Sequence, residues 1–286
     1  MNIIKKIFRL IKRISVELSI YLPLKKTNAS HDVIVSLTSY PERLCNIHKV
    51  ILSLLRQTTT PRKIILWLGT DTAENQIPRK LRKLEKNSGG LFQIRTNVEN
   101  IKPHKKYFFA MQENPEAIIV TVDDDLFYDK NLLSDLLESY EKNPHCVHAR
   151  RVNLMKKTDD GKIDKYANWE WECKKITDPS FALLPTGCGG VLYPPKILPQ
   201  DTFQMEAIKE NCLNTDDIWL KFMELKAGVK VVFTNNRIVH PLTIRKSQKT
   251  ALMHNNTQNS TENINDINIS KMENFTGINM GDYAEL

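Results

Sequence analysis

The chain has 286 residues, room for one large α/β domain or two small ones, and 41% apolar content is ample for a core. Its net charge of +8 is concentrated: residues 1–27 hold seven basic side chains against Glu17 alone, +6 of the total, which leaves too little excess elsewhere for a nucleic-acid-binding surface. Five scattered cysteines, odd in number and without a C-x-x-C pair, argue for reduced thiols in the cytosol and against a zinc site or a disulfide framework.

Residues 1–27 carry a helical period. Ile3, Ile4, Ile7, Phe8, Leu10, Ile11 and Ile14 share one broad face, with Lys5, Lys6, Arg9, Lys12 and Arg13 opposite or at its margins. No uncharged apolar stretch approaches the roughly 18–20 residues needed to cross a bilayer. Nor does an A-x-A-like cleavage site follow a clean apolar run. The expectation is a basic amphipathic helix lying on an anionic membrane surface, which makes the protein peripheral at the inner, cytoplasmic face of the cell membrane. An ordinary helix packed on the domain with solvated charges is the alternative.

From Asp32 strands and helices alternate. Val33 to Leu37 reads as a strand, Asn46 to Gln57 as a helix, and Lys63 to Leu68 as a second strand ending at Gly69. Pro78 to Asn87 is helical, Leu91 to Thr96 a third strand, Lys105 to Glu113 a helix and Ala117 to Val122 a fourth strand. That alternation predicts a largely parallel sheet with helices on both faces. Asp129 to Tyr140 reads helical. Beyond residue 145, Val147 to Asn153 and Tyr166 to Trp171 are expected as strands, Asp216 to Lys226 as a helix stopped by Gly228, and Val229 to Phe233 as a strand. The domain spans 32–250. Residues 251–286 form a polar, Asn-rich tail, expected as loop from Met253 to Asn274.

Four groups of residues carry chemistry. The buried run Ala117-Ile-Ile-Val-Thr-Val122 ends in Asp123, Asp124 and Asp125. Hard oxygen donors at the carboxyl edge of an open sheet suit Mg²⁺ or Mn²⁺ shared with substrate phosphates. An acidic cap on the next helix would need one such acid rather than three. The second group is Gly187-Cys-Gly-Gly190, where Gly189 and Gly190 let backbone approach a ligand, or simply form a tight turn. Asp216 and Asp217 open a helix, a pattern that capping alone also explains. Lys102-Pro-His-Lys-Lys106 is a cationic turn before the fourth strand, at the same sheet edge as the aspartates.

In this order the residues resemble a glycosyltransferase of the GT-A (Rossmann-like) fold, nearest the family two type of bacterial surface-polysaccharide assembly. The resemblance runs from about residue 32 to 245 and rests on Val35-Ser-Leu-Thr-Ser-Tyr-Pro-Glu-Arg43, Asp123-Asp-Asp125, the glycine loop and Thr215-Asp-Asp217. It implies a nucleotide-sugar donor, a uridine diphosphate sugar, and a saccharide or lipid-linked acceptor. Asp125 then ligates the metal, and Asp123 meets the ribose or, through water, the metal. Asp124 touches the sugar, and Asp217, beside Asp216, serves as the base of an inverting transfer. Thr38, Tyr40, Arg43, Lys102, Lys105, Gly189, Gly190 and Arg245 are candidate donor contacts, with Lys246 over the phosphates and His240 a candidate third metal ligand. The first strand ends in Thr-Ser-Tyr-Pro rather than Pro-x-Tyr-Asn, and Leu66-Trp-Leu-Gly69 lacks the second strand's usual acid, so the nucleobase contacts depart from the pattern. A metal-dependent nucleotidyltransferase and a non-enzymatic membrane scaffold are the rival readings. No G-x-x-x-x-G-K-[ST] motif is present.

Overall fold

The structure, a computed structural model, describes residues 31–234, 242–244 and 263–285, with Ser15 and the backbone of Thr27–Asn28. The expected amphipathic helix and the candidates His240, Arg245 and Lys246 fall outside the described residues.

The first half follows the predicted alternation: β1 (Val33–Ser39), α1 (Leu44–Leu55), β2 (Lys63–Gly69), α2 (Arg79–Asn87), β3 (Phe92–Val98), α3 (Lys105–Glu113) and β4 (Ile118–Thr121). The second half contains β5 (Leu126–Phe127), α4 (Leu132–Lys142), β6 (Val147–Ala149), β7 (Val152–Leu154), β8 (Leu183–Pro185) and β9 (Val191–Tyr193). Then come α5 (Met205–Asn211), α6 (Asp216–Lys226), β10 (Val231–Phe233), β11 (Leu242–Thr243) and α7 (Ile264–Thr276).

Seven strands form one sheet in the order β10-β6-β9-β4-β1-β2-β3. All pair in parallel except β9, which runs antiparallel to both β4 and β6. The sheet is buried on both faces, which explains the continuous apolar runs of β1 and β2. Val33, Val35 and Leu37 pack with Ile47, Ile51 and Leu54 of α1, while Ile34 joins Ile65, Trp67 and Ala110 on the α3 side. The period-2 alternation of a strand supplies both faces from one segment.

Three expectations change. Val147 to Asn153 is two strands: β6 stays in the main sheet, and β7 leaves it to pair antiparallel with β8. The break falls where Arg150 turns to Asp129 at 2.6 Å and Arg151 to Glu172 at 3.1 Å. Tyr166 to Trp171 is no strand but a 3-10 turn, Tyr166–Asn168, followed by loop. The tail is not all loop, because α7 lies within it. The Asn263 side chain caps its start by accepting from the Asn265 N–H at 3.0 Å, and Gly277 ends it at φ +71°. Ile269 and Met272 join the core that holds Trp219 and Phe222 of α6. Among the described residues no helix is long and apolar enough to cross a membrane.

Candidate active site

The aspartates sit where β4 leaves the middle of the sheet; Asp124 and Asp125 share Arg43, while Asp123 meets Lys106. Asp124 is buried; its carboxylate accepts from Ser39 Oγ and from Arg43 Nη1, both at 2.5 Å. Burial raises this carboxyl, and Arg43 and Ser39 work against that rise. Arg43 also lies 3.4 Å from Asp125 and 5.2 Å from the centre of the Tyr40 ring. Burial works against the Arg43 charge, but the two aspartates outweigh it and hold the guanidinium ionised. Asp125 is pushed up to about 6, chiefly by burial and next by Asp123, with Arg43 offsetting only part. Burial, more than neighbouring charge, disfavours its ionised form here.

Lys106 joins the strand-end acids to the start of α6. Its Nζ lies 2.9 Å from both Asp123 Oδ1 and Asp216 Oδ2, and its side chain is only 5% exposed. Burial works against this charge, but Asp123, Asp216 and Asp217 together keep the ammonium protonated well above its usual range. The anchor is a tertiary one: Ser36 of β1 accepts from Trp67 Nε1 at 2.9 Å and donates to the Lys106 carbonyl, fixing the first turn of α3 against the sheet.

Gly187 closes the site. Its N–H donates to the Asp217 carboxylate, 3.2 Å from Oδ1. A Cβ there would stand 2.6 Å from Lys106 Nζ and 3.0 Å from Asp123 Oδ1, so any side chain would push the Lys106–Asp123 pair aside. The topology explains the approach. Because β9 is antiparallel, with Val191 opposite Thr121, the loop before β9 emerges at the edge where β4 ends. Asp217 is raised by burial first, then by the charge of Asp216, with Lys106 opposing.

The other candidates separate by geometry. Thr38 Oγ1 donates to the Trp67 carbonyl at 2.9 Å, and Tyr40 lies half-buried beside Arg43. Lys105 is buried and donates to Asn100 Oδ1 at 2.6 Å, whereas Lys102 is exposed. The lysine between the acids is therefore Lys106, which sequence reasoning passed over, as it did Gly187. Gly189 presses on the backbone of Arg151, where a Cβ would meet its N at 2.7 Å, and Gly190 has φ +87° against Leu132. These two glycines serve packing. His104, in the same cationic turn, is buried; its Nε2–H donates to the Cys212 carbonyl at 2.9 Å, so Nδ1 accepts from the Tyr107 hydroxyl at 2.8 Å.

Among the described residues no three His, Cys, Asp or Glu side chains converge as a complete metal cage. Asp123 and Asp125 still fit a hard divalent cation. Mg²⁺-type ions take one or two carboxylates and complete their shell with water and substrate phosphates.

An open sheet with carboxylates and a buried lysine gathered outside its carboxyl edge defines an α/β enzyme with its ligand site at that edge. The family model described as "Glycosyl transferase family 2" matches residues 34–191, more than half of the chain, and the chain belongs to that family. No curated protein matches it in sequence. Among solved structures, GalNAc-T7 with UDP, GalNAc and Mn²⁺ is 11% identical at TM-score 0.47, over 74% of this chain and 42% of that one. This chain therefore spans less than half of that protein. The mannosyltransferase PcManGT from Pyrobaculum calidifontis with GDP-Man and Mn²⁺ is 10% identical at TM-score 0.45, over 93% and 76%. The UTP-bound UGPase from Acinetobacter baumannii is 12% identical at TM-score 0.42, over 84% and 96%.

Proposed function

We propose that this glycosyltransferase moves a sugar from a uridine diphosphate donor to a hydroxyl of a saccharide or lipid-linked acceptor, with inversion at the anomeric carbon. One observation carries the reading: Lys106 ties the Asp123 end of β4 to the Asp216–Asp217 start of α6 at 2.9 Å on each side. That brings a diphosphate-side acid and a candidate base to one point.

In this proposal Asp125 and Asp123 hold Mn²⁺ or Mg²⁺, which when bound offsets charge growing on the leaving diphosphate. Asp124 keeps the acid loop in place through Ser39 and Arg43 rather than reaching the sugar. Asp217 takes the proton of the acceptor hydroxyl. The acceptor oxygen bonds to the anomeric carbon as the bond to the diphosphate breaks, and that electron pair leaves with the nucleotide. Burial and Asp216 raise this carboxyl above its ordinary range, which makes its ionised form the stronger base. The Gly187 N–H aims it. The +6 charge of residues 1–27 supports a peripheral place on an anionic membrane, and with it a role in bacterial surface-glycan synthesis.

A panel of nucleotide sugars tests the reading. Mn²⁺-dependent donor hydrolysis is expected from the wild type and not from Asp125→Asn, whose fold should persist. If no donor is hydrolysed, or if Asp125→Asn binds Mn²⁺ and nucleoside diphosphate as tightly as wild type, the proposal fails.

A further inference from the structure

The described residues expose two large apolar side chains, Trp171 at 41% and Phe275 at 44%. Trp171 differs from the other tryptophans, since Trp67, Trp169 and Trp219 are all buried. Its position is built. The Trp171 ring meets Tyr166 edge-on at 5.5 Å, and Tyr166 in turn packs on Trp169 at 4.9 Å. The next residue, Glu172, has φ +54°, a conformation costly for a residue with a side chain. Two contacts hold it there: its N–H donates to Asn153 Oδ1 at 3.1 Å and its carboxylate lies 3.1 Å from Arg151. The indole N–H itself donates to the Tyr166 carbonyl at 3.4 Å.

This turn is coupled to the Asp217 end of the site by two routes. Asn153 Nδ2 donates to the Tyr166 hydroxyl at 3.3 Å, and Asn153 lies opposite Leu184 in the β7–β8 pair. Past β8, the Thr186 N–H donates to the Arg151 carbonyl at 3.0 Å, and the following Gly187 N–H reaches Asp217. The second route is α7. Asp266 accepts from the Tyr166 N–H at 2.7 Å, and Asn268, two residues on, donates to Thr215 Oγ1 at 2.7 Å at the cap of α6. One helix thus holds both the aromatic turn and the cap of the helix that carries Asp217. The charge of Asp217 also bears on the Tyr166 phenol, raising it further after burial.

We infer that Trp171, backed by Tyr166, is the acceptor platform: a sugar ring stacks on the indole and presents its hydroxyl toward Asp217. The inference rests on the transferase reading and narrows its acceptor to a saccharide. The chemistry favours a sugar because the C–H faces of a pyranose are positively polarised and suit the negative face of an indole. The sequence around the ring is polar, with Asn168, Glu170 and Glu172 in the same turn to meet the sugar's hydroxyls. A lipid surface needs a broad apolar face, and here a single indole stands among polar and charged neighbours.

Trp171 is the one exposed indole of four, so its fluorescence reports directly on the platform. Lactose, cellobiose and maltose, with Mn²⁺ and uridine diphosphate present, are titrated against wild type, Trp171→Phe and Trp171→Ala. The expected result is a saturable change in wild-type emission with at least one disaccharide, and loss of that change in Trp171→Phe. By calorimetry the same sugar should bind Trp171→Ala about ten-fold more weakly than wild type and Trp171→Phe within about three-fold, as stacking predicts. No response to any of the three sugars, or a response that persists in Trp171→Phe, overturns the inference. Binding of Mn²⁺ and uridine diphosphate to wild type is measured separately. If that binding is absent the transferase reading itself falls; if it is present without a sugar response, only the platform does.

Discussion

Lys106→Met should cost more stability than any substitution elsewhere on the site rim. The lysine faces Asp123 and Asp216 at 2.9 Å each, and its own side chain is 5% exposed against 10% for Asp216 and 32% for Asp123. At an effective dielectric of about 20, the Asp216 pair alone is worth roughly 6 kcal/mol of gross attraction. The more exposed Asp123 pair counts for less because water screens it. Desolvation consumes most of the gross term in the intact protein. Removing only the cation, however, leaves the acids buried without it, and the expected loss is about 3–5 kcal/mol. Asp216→Asn should cost less, since Lys106 keeps Asp123 and the charge of Asp217. The double variant Lys106→Met/Asp216→Asn should recover part of the loss, a coupling of at least about 1 kcal/mol. Urea unfolding followed by circular dichroism gives all four corners of this cycle. Lowering the pH should shrink the deficit of Lys106→Met, because a protonated acid no longer lacks a partner. A Lys106→Met protein within about 1 kcal/mol of wild type, or a double variant no better than the single, would refute the account.

Asp217→Asn should leave nucleoside diphosphate affinity within a few-fold of wild type and lower the transfer rate by about 10²-fold or more, the usual loss of a general base; a collapse of nucleotide affinity instead would assign Asp217 to the donor site. His104 is pushed down to about 4, first by burial, so both folded and unfolded chains are neutral there above about pH 6.5. Below that pH the unfolded chain takes a proton the folded one refuses, and stability should fall by about 3 kcal/mol between pH 6.5 and 4, a slope that His104→Gln should reduce. His148, also pushed down to about 4 by burial, adds a contribution of the same sign. Deleting residues 1–27 should release the protein from anionic vesicles in co-sedimentation, and raised salt should weaken binding of the intact chain. Equal sedimentation of the two chains would mean that this segment does not hold the membrane.

Residues 32 to 125 could be laid out from the sequence because their signals are local. An apolar run ending in three aspartates can hardly be anything but a buried strand with acids at its edge, and β4 is that strand. Asp216 to Lys226 likewise carries its own start in two acids and its own stop in Gly228, which adopts φ +65°. Tertiary structure decided the rest. Among Lys102, Lys105 and Lys106 the sequence offers three equal cations; only the seating of α3 on Ser36 and Trp67 turns Lys106 inward. β9 is three residues long, too short for any period to register, yet its antiparallel place beside β4 aims Gly187 at Asp217. Asn-rich α7 has poor helix propensity and a weak apolar stripe, so its capped ends and its packing on α6 make it a helix. Local chemistry thus named the acids, and long-range contacts chose which lysine and which glycine stand beside them.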